Sequence, residues 1–189
     1  MQNWLPVPGS TKARIALVAL AEFGARGYGG VGVAQLCAKA GVTTGALYHH
    51  FGGKPGLYAF VREEVEQRIL DRMEGAAAAV ADQGSSPSAA LRASLLVGFD
   101  AAVHQNVARL LSENSPHGEP DRIVPLLCRL TPGGDVILAR ILGAAWRAAL
   151  RESARRGTRA HRAAAAGQAR AALNALMAGL TGLPSSTAP

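Results

Sequence analysis

The sequence predicts an all-α protein, and three observations support that prediction. About one residue in five is alanine, which has the highest helix propensity of all residues. Runs of β-branched residues that alternate with polar ones, as in strands, are absent. Apolar residues make up 49% of the 189 and recur at the spacing of amphipathic helices. A chain of this length buries about 70% of its unfolded surface, which suits one domain or two small ones.

Four helices are predicted in the N-terminal part of the chain. The first begins at Ser10–Thr11, where the serine hydroxyl can cap it, and it ends at Gly27. Two short helices follow over residues 33–40 and 44–50. A long helix begins at Lys54-Pro55, because proline is well suited to a first turn, and it continues to about residue 81. Its apolar residues repeat at every fourth position: Leu57, Val61, Val65, Ile69 and Met73.

The rest of the chain continues the helical pattern, and we expect about nine helices in all. Residues 87–111 and 121–130 are predicted helices, separated by a loop that contains two prolines. Two alanine-rich helices follow over residues 135–156 and 158–180, with Gly157 between them.

The two short helices and the turn between them have the pattern of a helix-turn-helix. Gly41 supplies the left-handed backbone of the turn, and Cys37 is small enough to let the two helices touch. In this motif the second helix enters the major groove of DNA. A helical hairpin that serves only for packing would contain the same glycine turn, so both interpretations stay open at this point.

Three stretches around this pattern closely resemble the TetR (tetracycline-repressor-like) family. They are Thr11 to Ile15, Ala21 to Tyr28, and Gly41 to Phe51, followed by Lys54 and Leu57. The resemblance covers about residues 10–60. It implies a three-helix DNA-binding head at residues 1–53, and a helical body at residues 54–183 that binds small effectors and dimerises through its last two helices. Residues 184–189 are expected to form a flexible tail.

The resemblance also implies roles for individual residues in the head. The positions of Thr43 and Thr44 open the recognition helix and touch phosphates or base edges. Tyr48 and Lys54 match residues that hold phosphates, and His49 matches one that reaches bases or backbone. With further candidates from the two short helices, the residues predicted to contact DNA are Gln35, Lys39, Thr43, Thr44, Gly45, Ala46, Tyr48, His49 and Lys54.

The side chains of the recognition helix limit the bases that it can read. They include no arginine, asparagine or glutamine for bidentate contacts to guanine or adenine. Ala46 and the threonine methyl groups suit thymine methyl groups, and Gln35 and Lys39 can supplement them. We therefore expect modest direct readout, much positioning by phosphates and some dependence on DNA shape.

Two positions depart from the family pattern. Cys37 stands where the family mostly has alanine, and Gly52-Gly53 replaces a more polar pair. We expect these glycines to loosen the hinge between head and body.

An effector cavity is expected in the body, between the helices near residues 91–111 and 121–150. The candidate lining residues are Phe99, Asp100, His104, Arg140 and Trp146. The alternative is that the two aromatic residues are ordinary core and that Asp100 and His104 are simply exposed. Few aromatic residues and many alanines suit an apolar or planar ligand. The candidate dimer interface comprises Ile141, Ala145, Leu173, Leu176, Met177 and Leu180, which would look the same as the core of a single chain.

The sequence contains no convincing motif for nucleotide binding, catalysis or metal binding. Residues 27–32 fit G-x-G-x-x-G, but a helix precedes them and no acidic residue follows at the spacing that holds a ribose. No catalytic or metal-binding motif is present, so we expect no enzyme activity, cofactor or metal. Residues 1–9 lack a secretory signal and no apolar window of about 18 residues exists, which predicts a cytoplasmic protein with two reduced cysteines and no membrane span.

The leading hypothesis is a homodimeric transcriptional regulator, a repressor of a palindromic DNA operator that a small molecule releases. The alternatives are a basic helical protein that binds RNA or anionic membrane and, less favoured, an enzyme with a helical pocket. The net charge of +7 does not decide between them. Residues 1–54 carry +4 and residues 55–139 carry −4, so the surplus comes from eight arginines between residues 140 and 170. The role of this arginine cluster is an open question.

Overall fold

The computed structural model describes residues 9–113, 121–155 and 157–180. Within them the backbone forms nine α-helices, one short 3-10 helix at Pro132–Gly134 and no strand, which confirms the all-α prediction. The helices are α1 (Thr11–Arg26), α2 (Val33–Ala40), α3 (Thr44–Phe51), α4 (Lys54–Ala81), α5 (Pro87–His104), α6 (Ala108–Ser112), α7 (Ile123–Leu130), α8 (Val136–Ser153) and α9 (Arg159–Leu180).

Helices α1, α2 and α3 pack around a small apolar centre. Ile15 and Phe23 of α1, Leu36 of α2 and Leu47 of α3 are all less than 2% exposed. The side chains of Ser10 and Thr43 cap α1 and α3 by accepting hydrogen bonds from the backbone N–H groups of the first turns. The sequence patterns that predicted these helices therefore act as expected.

Helix α4 belongs to both parts of the molecule. The predicted apolar ladder from Leu57 to Met73 is buried along one face. Near its N-terminal end, the rings of Tyr58 and Phe60 pack against those of Phe23 (5.0 Å between centroids) and Phe51 (5.4 Å) in the head. Its principal partner in the body is α5.

The helix predicted over residues 87–111 is in fact two helices, which corrects that expectation. Helix α5 ends at His104, and Asn106 adopts a left-handed conformation (φ +57°) before α6 begins. Asparagine tolerates this conformation better than most residues. The N–H of Val107 then donates to the carbonyl of Ala102 at 2.9 Å, which closes the turn. We call residues 105–107 the α5–α6 turn.

The α5–α6 turn lies directly against α1. A Cβ atom added at Gly24 would come within 2.5 Å of the carbonyl oxygen of Asn106. Such a separation is shorter than any van der Waals contact, so only glycine fits at this point of α1. The break between α5 and α6 therefore brings body backbone against head backbone.

In the body, α5 packs against α4, α8 and α9. Trp146 of α8 is fully buried against α5, and its indole N–H donates to the carbonyl of Leu95 at 3.0 Å. The remaining helices begin or end a little inside the predicted limits. Asp121 accepts from the N–H groups of Ile123 (2.9 Å) and Val124 (3.3 Å) at the start of α7.

The contact at Gly24 makes a prediction about stability. Replacing a helical glycine by alanine normally stabilises a protein by up to about 1 kcal/mol. We expect Gly24→Ala to do the opposite and to lower the free energy of unfolding by about 1–3 kcal/mol, because the new methyl group overlaps the Asn106 carbonyl. Urea unfolding measures this change.

The matched control is Gly75→Ala in the middle of α4, where an added Cβ would meet nothing within 4 Å. That variant should be more stable than the wild type, by about 0.5–1 kcal/mol. Equal gains in stability for both variants would contradict the tight packing of the α5–α6 turn on α1.

Candidate nucleic-acid interface and effector groove

Helix α3 presents nearly all of its side chains to solvent. Leu47 is its buried residue, while Thr44, Gly45 and His49 are exposed and Tyr48 is 54% exposed. Ala46 is half-buried. The hydroxyl of Thr43 accepts from the N–H of Ala46 at 3.2 Å. The predicted DNA-contacting residues from 43 to 49 thus share one accessible helix.

The turn before α3 has the geometry that the sequence predicts. Gly41 is left-handed (φ +63°, ψ +42°), and the N–H of Val42 donates to the carbonyl of Cys37 at 3.0 Å. The Cys37 side chain is 4% exposed and lies in the core of the head. A small residue is therefore needed here, and cysteine in place of alanine is accommodated.

The glycine pair between α3 and α4 is required by the backbone. Gly52 has φ +70° and Gly53 has φ +128°, conformations that other residues rarely adopt. A Cβ atom at Gly53 would also lie 3.2 Å from Cε1 of Tyr48. The expectation that this pair loosens the hinge between head and body stays a prediction.

Two lysines, Lys12 of α1 and Lys54 at the start of α4, lie over aromatic rings. Lys54 Nζ is 4.1 Å from the centroid of the Tyr28 ring, and Lys12 Nζ is 5.0 Å from that of Phe60. Such cation–π contacts fix an ammonium group without neutralising its charge. Lys12 was not among the predicted contacts, although its charge one residue into α1 is visible in the sequence.

Gln35 and Lys39 occupy the exposed face of α2. Lys39 forms an ion pair with Glu22 of α1, which also pairs with Arg26. Glu22 is the only acidic side chain among the first 62 residues of the sequence. Lys39 therefore has a local counter-ion, which distinguishes it from the other predicted contacts.

A buried polar cluster joins the body to the head. Arg62 of α4 is 6% exposed, and its guanidinium donates to Glu66 Oε1 (2.9 Å) and to the carbonyls of Leu110 (3.1 Å) and Glu113 (2.7 Å). The Glu113 carboxylate in turn accepts from the backbone N–H of Tyr28 at 3.1 Å. Residues of α4, the end of α6 and the end of α1 thus meet at one place.

Two groups of this cluster have shifted pKa values. Burial raises the pKa of Tyr58 to about 12, so the phenol keeps its proton and donates to Glu113 Oε2 at 3.4 Å. Burial also raises the pKa of Glu66, although the guanidinium of Arg62 acts in the opposite direction. No sequence motif signals this cluster, because its members come from three separate segments.

The end of α8 is tied to the same region by two arginines. Arg151 Nη2 donates to the carbonyl of Ser112 at 3.0 Å, and Arg109 Nη2 donates to the carbonyl of Ala154 at 2.6 Å. Arg147 forms two hydrogen bonds with the Asp121 carboxylate, at 2.6 and 2.8 Å. Several members of the arginine cluster therefore hold the body together.

A groove of about 550 Å³ lies between α5 and α9, with Arg72 of α4 at its edge. It brings together three of the predicted effector-binding residues: Phe99, Asp100 and His104. The other two lie elsewhere, since Arg140 is exposed on α8 and Trp146 is in the core. The cavity was expected between α5 and the α7–α8 region. At that place the Trp146 ring packs against α5 instead.

The predicted dimer residues divide into two groups. Ile141 of α8 and Leu176 of α9 are 57% and 44% exposed, whereas Leu173 and Met177 are buried within the chain. Ala145 is half-buried, and the side chain of Leu180 lies outside the described residues. Ile137, 67% exposed, lies one turn before Ile141 and extends the exposed apolar surface.

Residues 15–60, which contain the helix-turn-helix, match the family model described as "Bacterial regulatory proteins, tetR family". The helix-turn-helix region of this chain is therefore of the TetR-family type. It is 29% identical over 99 residues to the HTH-type transcriptional repressor KstR2 of Mycolicibacterium smegmatis, an alignment that covers 52% of this chain and 46% of KstR2. The chain thus spans about half the length of that curated relative.

Solved structures extend the similarity to the body. A TetR-family transcriptional regulator from Pectobacterium atrosepticum is 25% identical with a TM-score of 0.64, covering 89% of this chain and 92% of the other. A structure described as the molecular basis for control of antibiotic production by bacterial hormones is also 25% identical, with a TM-score of 0.56, and covers 85% and 94% of the two chains. TetR-family proteins are transcriptional regulators and not enzymes.

Two further features of the described residues limit the kinds of site. None of the helices there combines the length and the apolar character that crossing a bilayer demands. Within the same residues, no three histidine, cysteine or acidic side chains are grouped so that they could hold a metal ion.

The Glu113 contacts predict a link between the body and the end of α1. We expect Glu113→Ala to lower the free energy of unfolding by about 1–3 kcal/mol, because it removes a charged acceptor from the Tyr28 N–H and the Tyr58 hydroxyl. Amide exchange at Tyr28 should accelerate in the same variant. The control is Glu152→Ala, which breaks an exposed ion pair with Arg155 and should change stability by less than about 0.5 kcal/mol. Unchanged exchange at Tyr28 would contradict the link.

Proposed function

We propose that this protein is a TetR-family transcriptional repressor that binds a palindromic DNA operator as a homodimer and is released by a small molecule. The observation that carries the proposal is the accessible face of α3, where Thr43, Thr44, Tyr48 and His49 lie beside a fixed Lys54. The description of KstR2 as a repressor supports repression rather than activation.

The head is suited to DNA by charge and by shape. Residues 1–54 carry a net charge of +4, and the recognition helix has few side chains that obstruct its approach to a groove about 12 Å wide. Contacts from Tyr48 and Lys54 to phosphates would position the helix, and the threonines and His49 would then read base edges.

Dimerisation would use the exposed apolar face of α8 together with α9. Ile137 and Ile141 lie on this face one turn apart, and Leu176 of α9 is a third exposed apolar side chain. The exposed alanines Ala144 and Ala148 continue the α8 face and allow a second helix to approach closely. A two-fold axis through this surface would give two heads for two half-sites about 34 Å apart.

Release by an effector would act through the α5–α6 turn. His104 lines the groove and is the last residue of α5, and Asn106, two residues later, touches Gly24 of α1. A ligand that moves the end of α5 would therefore move the surface on which the head rests. Helix α4, which also contributes to the groove and to the head, offers a parallel route.

The phosphate role of Lys54 is open to a direct test. After selection of a preferred duplex from random DNA, Lys54→Ala should weaken binding to selected and unselected duplexes by similar factors. The slope of log K against log salt should fall by about 1, because one phosphate contact is lost.

The control for this test is Arg92→Ala, which removes an exposed arginine of the body that donates to Asn174. Its salt slope should equal that of the wild type. A loss in Lys54→Ala that is confined to the selected duplex would contradict the phosphate role. Equal binding of the wild type to random RNA, anionic vesicles and the selected duplex would contradict the proposed function.

The proposed dimer surface predicts the effect of a buried charge. Ile141→Glu places two carboxylates near the two-fold axis and should weaken the dimer at least about 100-fold, since like charges at an interface cost several kcal/mol. Sedimentation equilibrium should then show a folded monomer. The control Ala78→Glu, on an exposed position of α4, should remain dimeric. A dimeric Ile141→Glu would exclude this face.

A further inference from the structure

We infer that the groove between α5 and α9 binds an amphipathic anion, a molecule with a carboxylate at one end of a short apolar chain. The inference deepens the proposed function, because it assigns a ligand class to the proposed effector site. It rests on how charged and apolar side chains are divided around a single cavity.

Basic groups outnumber acidic groups in the groove. Arg72 and Arg170 both line it, and Asp100 is the acidic side chain among its lining residues. Arg170 Nε donates to both carboxylate oxygens of Asp100, at 2.7 and 3.0 Å. Arg72 forms no ion pair with any described residue.

A second arginine lies beside Arg72, although it does not line the groove. Arg68 lies one turn earlier on α4. Burial lowers the pKa of Arg68, Glu64 opposes this, and the positive charge of Arg72 lowers the pKa further. A carboxylate between Arg72 and Arg170 would be stabilised by both guanidinium groups, which suit carboxylate geometry.

The rest of the groove is apolar and open enough for a chain. Val97 is 39% exposed and Val103 lines the same wall, while Phe99, 1% exposed, lies beneath them in the core. On the α9 side the wall is made of Ala166 and Gly167, and a Cβ atom at Gly167 would meet nothing within 4 Å. The volume of about 550 Å³ lies in the usual range for small-molecule sites.

Asp100 has a particular role in this arrangement. Its carboxylate is 47% exposed and occupies the guanidinium of Arg170 in the way that a ligand carboxylate would. A bound anion must therefore compete with Asp100 for Arg170. It follows that Asp100 weakens anion binding and that neutralising it strengthens anion binding, an effect opposite to that of removing an arginine.

The experiment compares three ligands that share one chain and differ in the end group: octanoate, 1-octanol and octylammonium. Calorimetric titration of the full-length protein without DNA should give binding of octanoate at least about tenfold tighter than that of 1-octanol, because a charge-assisted pair is formed. Octylammonium should bind most weakly. Arg72→Ala and Arg170→Ala should bring octanoate close to 1-octanol, and Asp100→Asn should tighten octanoate by about three- to tenfold.

The control variant is Arg92→Ala, because Arg92 also joins α5 to α9 but does not line the groove. It should bind octanoate within about twofold of the wild type. The inference is overturned if octanoate binds no tighter than 1-octanol, if Asp100→Asn fails to tighten octanoate, or if Arg92→Ala loses as much as Arg170→Ala.

A separate measurement keeps this inference distinct from the proposed function. Octanoate is added to the complex of the wild-type protein with its selected duplex. Octanoate binding with the predicted variant pattern, but without release of DNA, would support the ligand class and contradict effector release. Failure of the protein to select any duplex would contradict DNA binding and leave the calorimetric result to stand by itself.

Discussion

The contact between the end of α1 and residues 106–113 is the constraint on which the rest of this structure depends. The backbone of Asn106 packs directly on Gly24, and the Glu113 carboxylate accepts a hydrogen bond from the N–H of Tyr28. Both contacts are made by backbone atoms on the head side, so they fix the position of α1 itself rather than that of a mobile side chain. Arg62 donates hydrogen bonds to the carbonyls of Leu110 and Glu113, and Glu66 balances its charge. Within the described residues, these contacts join head and body in addition to the continuous helix α4.

Much of the fold followed from the sequence, because local signals determine it. The limits of α2 and α4 coincide with the predicted ones, since a glycine turn and a proline in the first turn mark them. The sequence did not predict the break at Asn106, because residues 87–111 keep an apolar helical pattern throughout. The break coincides with a tertiary contact between Asn106 and Gly24, which a local pattern does not show. The prediction of the DNA-contacting face relied on the family resemblance, and the structure places residues 43–49 on one accessible helix. Which helices border the groove depends on packing between distant segments, which periodicity does not encode.

The distribution of charge has a clearer meaning in the structure than in the sequence. The sequence leaves open what the surplus of arginines between residues 140 and 170 does. Arg147, Arg151 and Arg170 reach Asp121, the Ser112 carbonyl and Asp100, and so they fasten α8 and α9 to their neighbours. The head has fewer acidic partners for its basic side chains. Glu22 is the only acidic residue there, and it pairs with Lys39 and Arg26. A large part of the basic surplus is thus used for internal cohesion, and the basic surface of the head is a local property.

The exposure of α3 has a consequence for how such a protein can change its target. Leu47 is the one residue of this helix that is buried, and the exposed positions Thr44, Gly45 and His49 contribute little to the stability of the head. Substitutions there can alter the bases that are read without unfolding the domain and without touching the Gly24 and Glu113 contacts. The residues proposed to contact DNA and the residues that join body to head are different ones. Each set can therefore diverge independently, and a lineage can change the surface of α3 while keeping the same packing between body and head.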